Sequence, residues 1–190
     1  MINLKKIALA SLFVATSAFA QDGKLKGLLI DDASVGVEAG ASRYMSDSDL
    51  EFGYGLSYTK QINALFAVKG GYLVGTLTDA AKSEEFSALT VEGLVNLSNL
   101  SVGTSNNLKI YLSSGLALVT VEDEDDSSVV PNVGAGAKYA INESFDLDLS
   151  TSLGLGTLSG QSLESHMTLG LGVNYRFTKK EESVEWNNPL

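Results

Sequence analysis

The chain has 190 residues, a length suited to one domain, with 19 glycines, two prolines, no cysteine and a formal net charge of −10. Absence of cysteine removes disulfides, thiolate catalysis and zinc–thiolate centres together. The acidic balance argues against binding nucleic acid through phosphate contacts.

Residues 1–20 have the layout of a cleaved secretory signal peptide. Lys5 and Lys6 open it, Ile7 to Val14 form an apolar stretch too short to span a membrane as a helix, and Ala18-Phe19-Ala20 supplies a small-x-small cleavage site. No cysteine follows, which excludes a lipid-anchored lipoprotein. Residues 21–32 read as a short periplasmic segment.

From residue 33 onward no window is apolar for about 18 residues. Instead side chains alternate with period two, the signature of strands. Eight segments show it: 33–45, 50–61, 63–77, 85–98, 107–122, 129–142, 144–158 and 163–178. The clearest is the last, where Met167, Leu169, Leu171, Val173, Tyr175 and Phe177 alternate with Thr168, Gly170, Gly172, Asn174 and Arg176. Segments around 35–42, 66–74 and 108–120 alternate less cleanly. Most exceed the usual 5–6 residues, and about 9–11 residues cross a bilayer when tilted. The expectation is an all-β fold, an eight-stranded antiparallel up-and-down transmembrane β-barrel over residues 33–178.

The second and sixth connections, near Gln61-Ile62-Asn63 and Asn142-Glu143-Ser144, read as tight periplasmic turns. The third, fifth and seventh, Thr78–Glu85, Glu122–Ser128 and Leu158–Glu164, read as longer or more polar outer loops. Asn99–Asn107 is long for a periplasmic turn, and the connection near Ser46–Asp49 is short for an outer loop.

A soluble barrel or sandwich shares the period, so the composition of the two faces decides. The polar face holds glycine, serine, threonine and asparagine with isolated charges, which fits a narrow lumen better than a solvated surface. Tyr58, Tyr72, Tyr139, Phe145, Tyr175 and Phe177 fall on the apolar face, several near strand ends where aromatic girdles form. The inward set then includes Glu38, Glu51, Lys69, Glu92, Lys109, Lys138, Asp146, Asp148 and Arg176. Isolated charges in such an interior are costly. The expectation is an ionic network in which Lys69, Lys138 and Arg176 neutralise Glu38, Glu92 and Asp146 or Asp148, plugging the barrel; a gated ion path is the alternative.

Gly172, Tyr175 and Phe177 at the end of the last segment resemble the terminal-strand signal read by the barrel assembly machinery, although Gly170 replaces a usual polar residue and the chain continues. With the eight segments, the chain resembles the OmpA-like outer-membrane β-barrel domain family, the small porin-like barrels of Gram-negative envelopes. That resemblance implies outer-membrane lipid and the assembly machinery as partners, and no cofactor. The tail 179–190 resembles the linker that in longer members leads to a peptidoglycan-binding domain, but none of that domain's residues are present, so peptidoglycan binding is not carried over.

Catalysis and metal binding are weakly signalled. The single histidine, His166, has Ser162, Glu164 and Ser165 nearby, but in a strand Ser165 points away from His166, which is a poor arrangement for a hydrolase. The run Glu122-Asp123-Glu124-Asp125-Asp126 clusters oxygen ligands yet lacks the glycine and spacing of a calcium loop, so it reads as a solvated loop. The expected role is non-enzymatic, in envelope structure. A small channel for ions or apolar solutes is the alternative, ahead of a lipid A-modifying enzyme or an adhesin.

Overall fold

A computed structural model describes residues 31–45, 50–79, 82–100, 107–121, 127–156 and 165–177. The expected signal peptide 1–20, nearly all of segment 21–32, the acidic run Glu122–Asp126, Ser162, Glu164 and the tail 179–190 lie outside those residues.

Eight strands follow in chain order: β1 Ala33–Tyr44, β2 Glu51–Gln61, β3 Phe66–Asp79, β4 Lys82–Asn96, β5 Leu108–Val121, β6 Ser127–Ala140, β7 Phe145–Gly154 and β8 His166–Arg176. Each pairs antiparallel with its neighbours in sequence, and β8 returns to β1, closing the barrel. Closure removes every sheet edge, as hydrocarbon requires of a β structure. Crossing from strand to strand through paired residues, from Ser34 to Thr59, Lys69, Glu92, Gly115, Asn132, Gly154 and His166, leads back to β1 at Tyr44, ten residues along from the start. An offset of this size tilts the strands steeply, within the roughly 35–45° of membrane barrels.

The two faces are inverted relative to a soluble barrel. Phe52 is 78% exposed, Tyr54 71% and Val37 60%, while Lys69, Asp146, Asp148 and Asn174 are buried. Lipid rather than water is the solvent that suits a continuous apolar exterior.

The start of β1 and the end of β8 lie together at one rim, called here the near rim. Two of its turns share a design. In Ile62-Asn63-Ala64-Leu65-Phe66, the Phe66 carbonyl accepts from the amides of Ile62 and Asn63, while Asn63 Oδ1 accepts from those of Leu65 and Phe66 at 2.9 Å each. In Ile141-Asn142-Glu143-Ser144-Phe145 the same bonds recur, with Asn142 Oδ1 accepting from Ser144 and Phe145. Asparagine suits this place because its side chain imitates a backbone acceptor. The longer connection from β4 to β5 begins with a 3₁₀ turn, Leu97–Leu100, and the Ile110 amide donates to Ser98 Oγ at 2.7 Å.

Phe66, Tyr139, Phe145, Tyr175 and Phe177 stand outward at the near rim, all at least 37% exposed. The Tyr175 ring lies 5.3 Å from that of Phe145 and 5.6 Å, edge-on, from that of Phe177. Of the expected aromatic residues, Tyr58 and Tyr72 sit farther along the wall.

At the far rim the third connection differs from expectation. β3 and β4 continue to Asp79 and Lys82, which pair with each other, so only residues 80–81 link them instead of Thr78–Glu85. Beyond the apolar band a ladder can carry polar residues on both faces, and there polarity no longer separates strand from loop. β7 is shorter than the expected 144–158. Pro131 accepts from the Leu155 amide but has no N–H to return, and Gly156 (φ 83°) turns the chain away.

Candidate functional site

The lumen is built from the inward face of every strand. Five of its large side chains stand directly across from glycines. Phe86 faces Gly75, Glu92 faces Gly115, Tyr111 faces Gly136, His166 faces Gly154 and Asn174 faces Gly36. A Cβ on Gly136 would lie 2.4 Å from the Tyr111 ring, one on Gly154 2.4 Å from His166 Cε1, and one on Gly36 2.1 Å from Asn174 Oδ1. Gly36, Gly136 and Gly154 each leave the space their partner fills.

Ion pairs between described residues cross this interior. Lys69 Nζ lies 2.8 Å from Glu38 Oε1, Lys138 Nζ 3.6 Å from Asp148 Oδ2, and Arg176 Nε 3.4 Å from Asp146 Oδ2. Arg176 also donates to the Asn142 carbonyl, joining the last strand to the turn before β7. Glu92 stands opposite Lys69 across β3 and β4, and Lys109 opposite Lys138 across β5 and β6. Glu51 sits at the far end of β2, away from these groups.

Asp148, 6% exposed, is the centre of the arrangement. Besides Lys138 it accepts from the Tyr111 hydroxyl at 2.8 Å and from Asn174 Nδ2 at 3.5 Å. Lys138 Nζ lies 5.6 Å from the centre of the Tyr111 ring, within cation–π range. A buried carboxylate with a cation and two hydrogen-bond donors avoids most of the desolvation penalty that an isolated one would carry. Tyr111 and Asn174 were missing from the network read in the sequence. Their inward parity was visible, but which strand positions they meet depends on register.

Two cavities that share no lining residue lie on either side of this layer. The one toward the far rim measures about 120 Å³ and is lined by Glu38, Lys69 and Glu92 at one end and by Leu73, Phe86, Val119 and Val130 at the other. The one toward the near rim measures about 140 Å³ and is lined by Lys109, Lys138, Asp146 and Arg176. The apolar group Phe86, Ala88, Ala117, Val119 and Val130, with Tyr44 and Leu73 against it, departs from a uniformly polar lumen.

The three residues of the terminal-strand motif divide by face. Gly172 looks inward against Glu38, and Tyr175 and Phe177 look outward into the near-rim aromatic group. His166 opens β8 and lines the far-rim cavity. Among the described residues no three His, Asp or Glu side chains converge as a metal site.

A closed eight-stranded sheet with an apolar exterior and an ion-paired lumen defines an outer-membrane β-barrel protein. The chain belongs to the outer membrane protein beta-barrel domain family, whose model matches residues 7–177, and the outer membrane is its location. No curated protein sequence matches it significantly. Solved structures share the fold at low identity. Neisserial surface protein A is 18% identical over 76% of this chain and 97% of its own, with a TM-score of 0.62. The N-terminal β-barrel domain of Pseudomonas aeruginosa OprF is 24% identical over 75% and 96%, with a TM-score of 0.50. The outer membrane enzyme PagL is 12% identical over 75% and 99%, also with a TM-score of 0.50.

Proposed function

We infer that this chain is a non-enzymatic structural barrel of the envelope, with its lumen closed by the layer around Asp148. The observation that carries the reading is the position of that carboxylate. It is held by Lys138, Tyr111 and Asn174 between two cavities with no lining residue in common. In this reading residues 1–20 are removed on export, the near rim faces the periplasm, and Gly172, Tyr175 and Phe177 present the last strand to the assembly machinery. Glu38, Lys69, Glu92, Lys138, Asp146, Asp148 and Arg176 act together to neutralise and brace the interior.

The second reading, a narrow conduit, is favoured by the two cavities themselves, since only one layer of side chains separates them. An enzyme on membrane lipid has less support. His166 lines the lumen over Gly154, turned away from the lipid-facing wall where such a substrate would lie.

Planar-bilayer recording tests the choice. The structural reading expects no unitary conductance from the folded chain, and discrete openings once Asp148→Ala and Tyr111→Ala remove the layer. Steady channel activity from the unaltered chain would favour the conduit.

A further inference from the structure

The far-rim cavity is lined by a carboxylate that no described cation pairs with closely. Its ionisable lining groups are Glu38, Lys69, Glu92 and His166. Glu38 and Lys69 satisfy each other at 2.8 Å. Glu92 lies across the register from Lys69, but no described cation comes within 4.0 Å of its carboxylate. Glu92 is thus the lining carboxylate without a close ion pair. A carboxylate at membrane depth without a close counterion is costly when ionised, and a bound cation offsets that cost.

The wall beside Glu92 is graded. Along β4 the inward residues run Glu92, Thr90, Ala88 and Phe86, each about 6.6 Å from the next. The strand thus passes from carboxylate to hydroxyl to hydrocarbon within one cavity. Leu73, Val119 and Val130 complete the apolar end. Gly40, Gly55, Gly71 and Gly170 line the same space and contribute no side chain to it. About 120 Å³ is comparable with the engineered ~150 Å³ cavity that admits benzene.

We propose that this cavity binds a small organic cation, a short alkyl- or arylalkylammonium ion. Its ammonium group pairs with Glu92 and its hydrocarbon part packs against Ala88, Phe86 and Val119. An anion of the same size would face two carboxylates. A neutral hydrocarbon would leave Glu92 as it stands. The ligand reaches the site from the far rim, a route that rests on the proposed closure at the Asp148 layer, and its binding does not require that the barrel conduct.

The test is a ¹⁹F NMR titration of the full chain, folded in detergent micelles, with 4-fluorobenzylammonium, using protein-free micelles to subtract partitioning. A saturable shift is expected. Glu92→Gln, which keeps the shape and removes the charge, is expected to weaken binding at least tenfold. Ala88→Leu, which fills the apolar end, is expected to do the same. The difference in gel mobility between heated and unheated samples verifies that each variant is folded. 4-Fluorobenzyl alcohol is expected to show no difference between the unaltered chain and Glu92→Gln. Absence of a saturable component, or equal ammonium affinity in the unaltered chain and Glu92→Gln, overturns the proposal.

Discussion

Tyr111 lies over Gly136, its partner across β5 and β6, and from there reaches Asp148 on the next strand. The hydrogen bond depends on the glycine, because any side chain at position 136 would occupy the path of the ring. A Cβ there would meet Tyr111 at 2.4 Å and the Leu149 carbonyl oxygen at 2.8 Å, so neither side can yield cheaply. Gly136→Ala is therefore expected to displace the ring and break its bond to Asp148. Overpacking and loss of a charged hydrogen bond together cost roughly 3 kcal/mol. The midpoint of urea unfolding from lipid vesicles, read by gel mobility, measures it. An unchanged midpoint would mean that the ring is not held by this contact.

Asp148 and Lys138 are predicted to be strongly coupled. Asp148→Ala leaves Lys138 buried without its acid and is expected to cost about 3–5 kcal/mol. Replacing both, with Asp148→Asn and Lys138→Met, should recover most of that loss, because the amide oxygen still accepts from the Tyr111 hydroxyl and no buried charge is left without its partner. If the double variant is as unstable as the sum of the single ones, the two groups do not act as a pair.

The lipid-facing wall gives a prediction of opposite character. Leu149 is 51% exposed in the middle of β7, next to the inward Asp148. Leu149→Arg places a charge in hydrocarbon and is expected to cost about 2–4 kcal/mol. Folding yield into vesicles should fall accordingly. A neutral outcome would contradict the outward orientation of that strand.

The paired near-rim turns supply a fourth test. Asn63→Ala and Asn142→Ala each remove a side-chain acceptor serving two backbone amides, at an expected cost of about 1–2 kcal/mol apiece. Asn→Asp at the same positions keeps the acceptor and should retain most of the stability. Equal losses for alanine and aspartate would show that the acceptor oxygen is not what the turn uses.

The strands were legible because alternation is a local property. Val173, Tyr175 and Phe177 declare one face and Asn174 and Arg176 the other without reference to any other segment. Parity likewise put Glu38, Lys69, Asp146 and Asp148 on the inward side. Pairing was not legible. That Lys138 meets Asp148, that Arg176 meets Asp146, and that Tyr111 passes over Gly136 all depend on the register between strands, which parity alone leaves open. The glycines of the polar face are visible as small lumen residues, but that Gly36, Gly75, Gly115, Gly136 and Gly154 each stand opposite a particular large side chain depends on register. The repeated Ile-Asn-x-x-Phe turn was present in the letters, and its meaning came only from the hydrogen bonds. The far end of the β3–β4 hairpin was misread because Thr78 to Glu85 is polar on both faces, the pattern of a loop and equally of a ladder in water.

The ten-residue displacement at closure belongs to the whole circuit and to no single hairpin. A slip of one residue between any two neighbouring strands would turn a greasy face inward, so the circuit can change only in steps of two. With the number of strands held constant, each such step alters the tilt and hence the bore. Calibre in a barrel of this kind is thus quantised. It can be reset by realigning one pair of strands, without exchanging any residue that lines the interior.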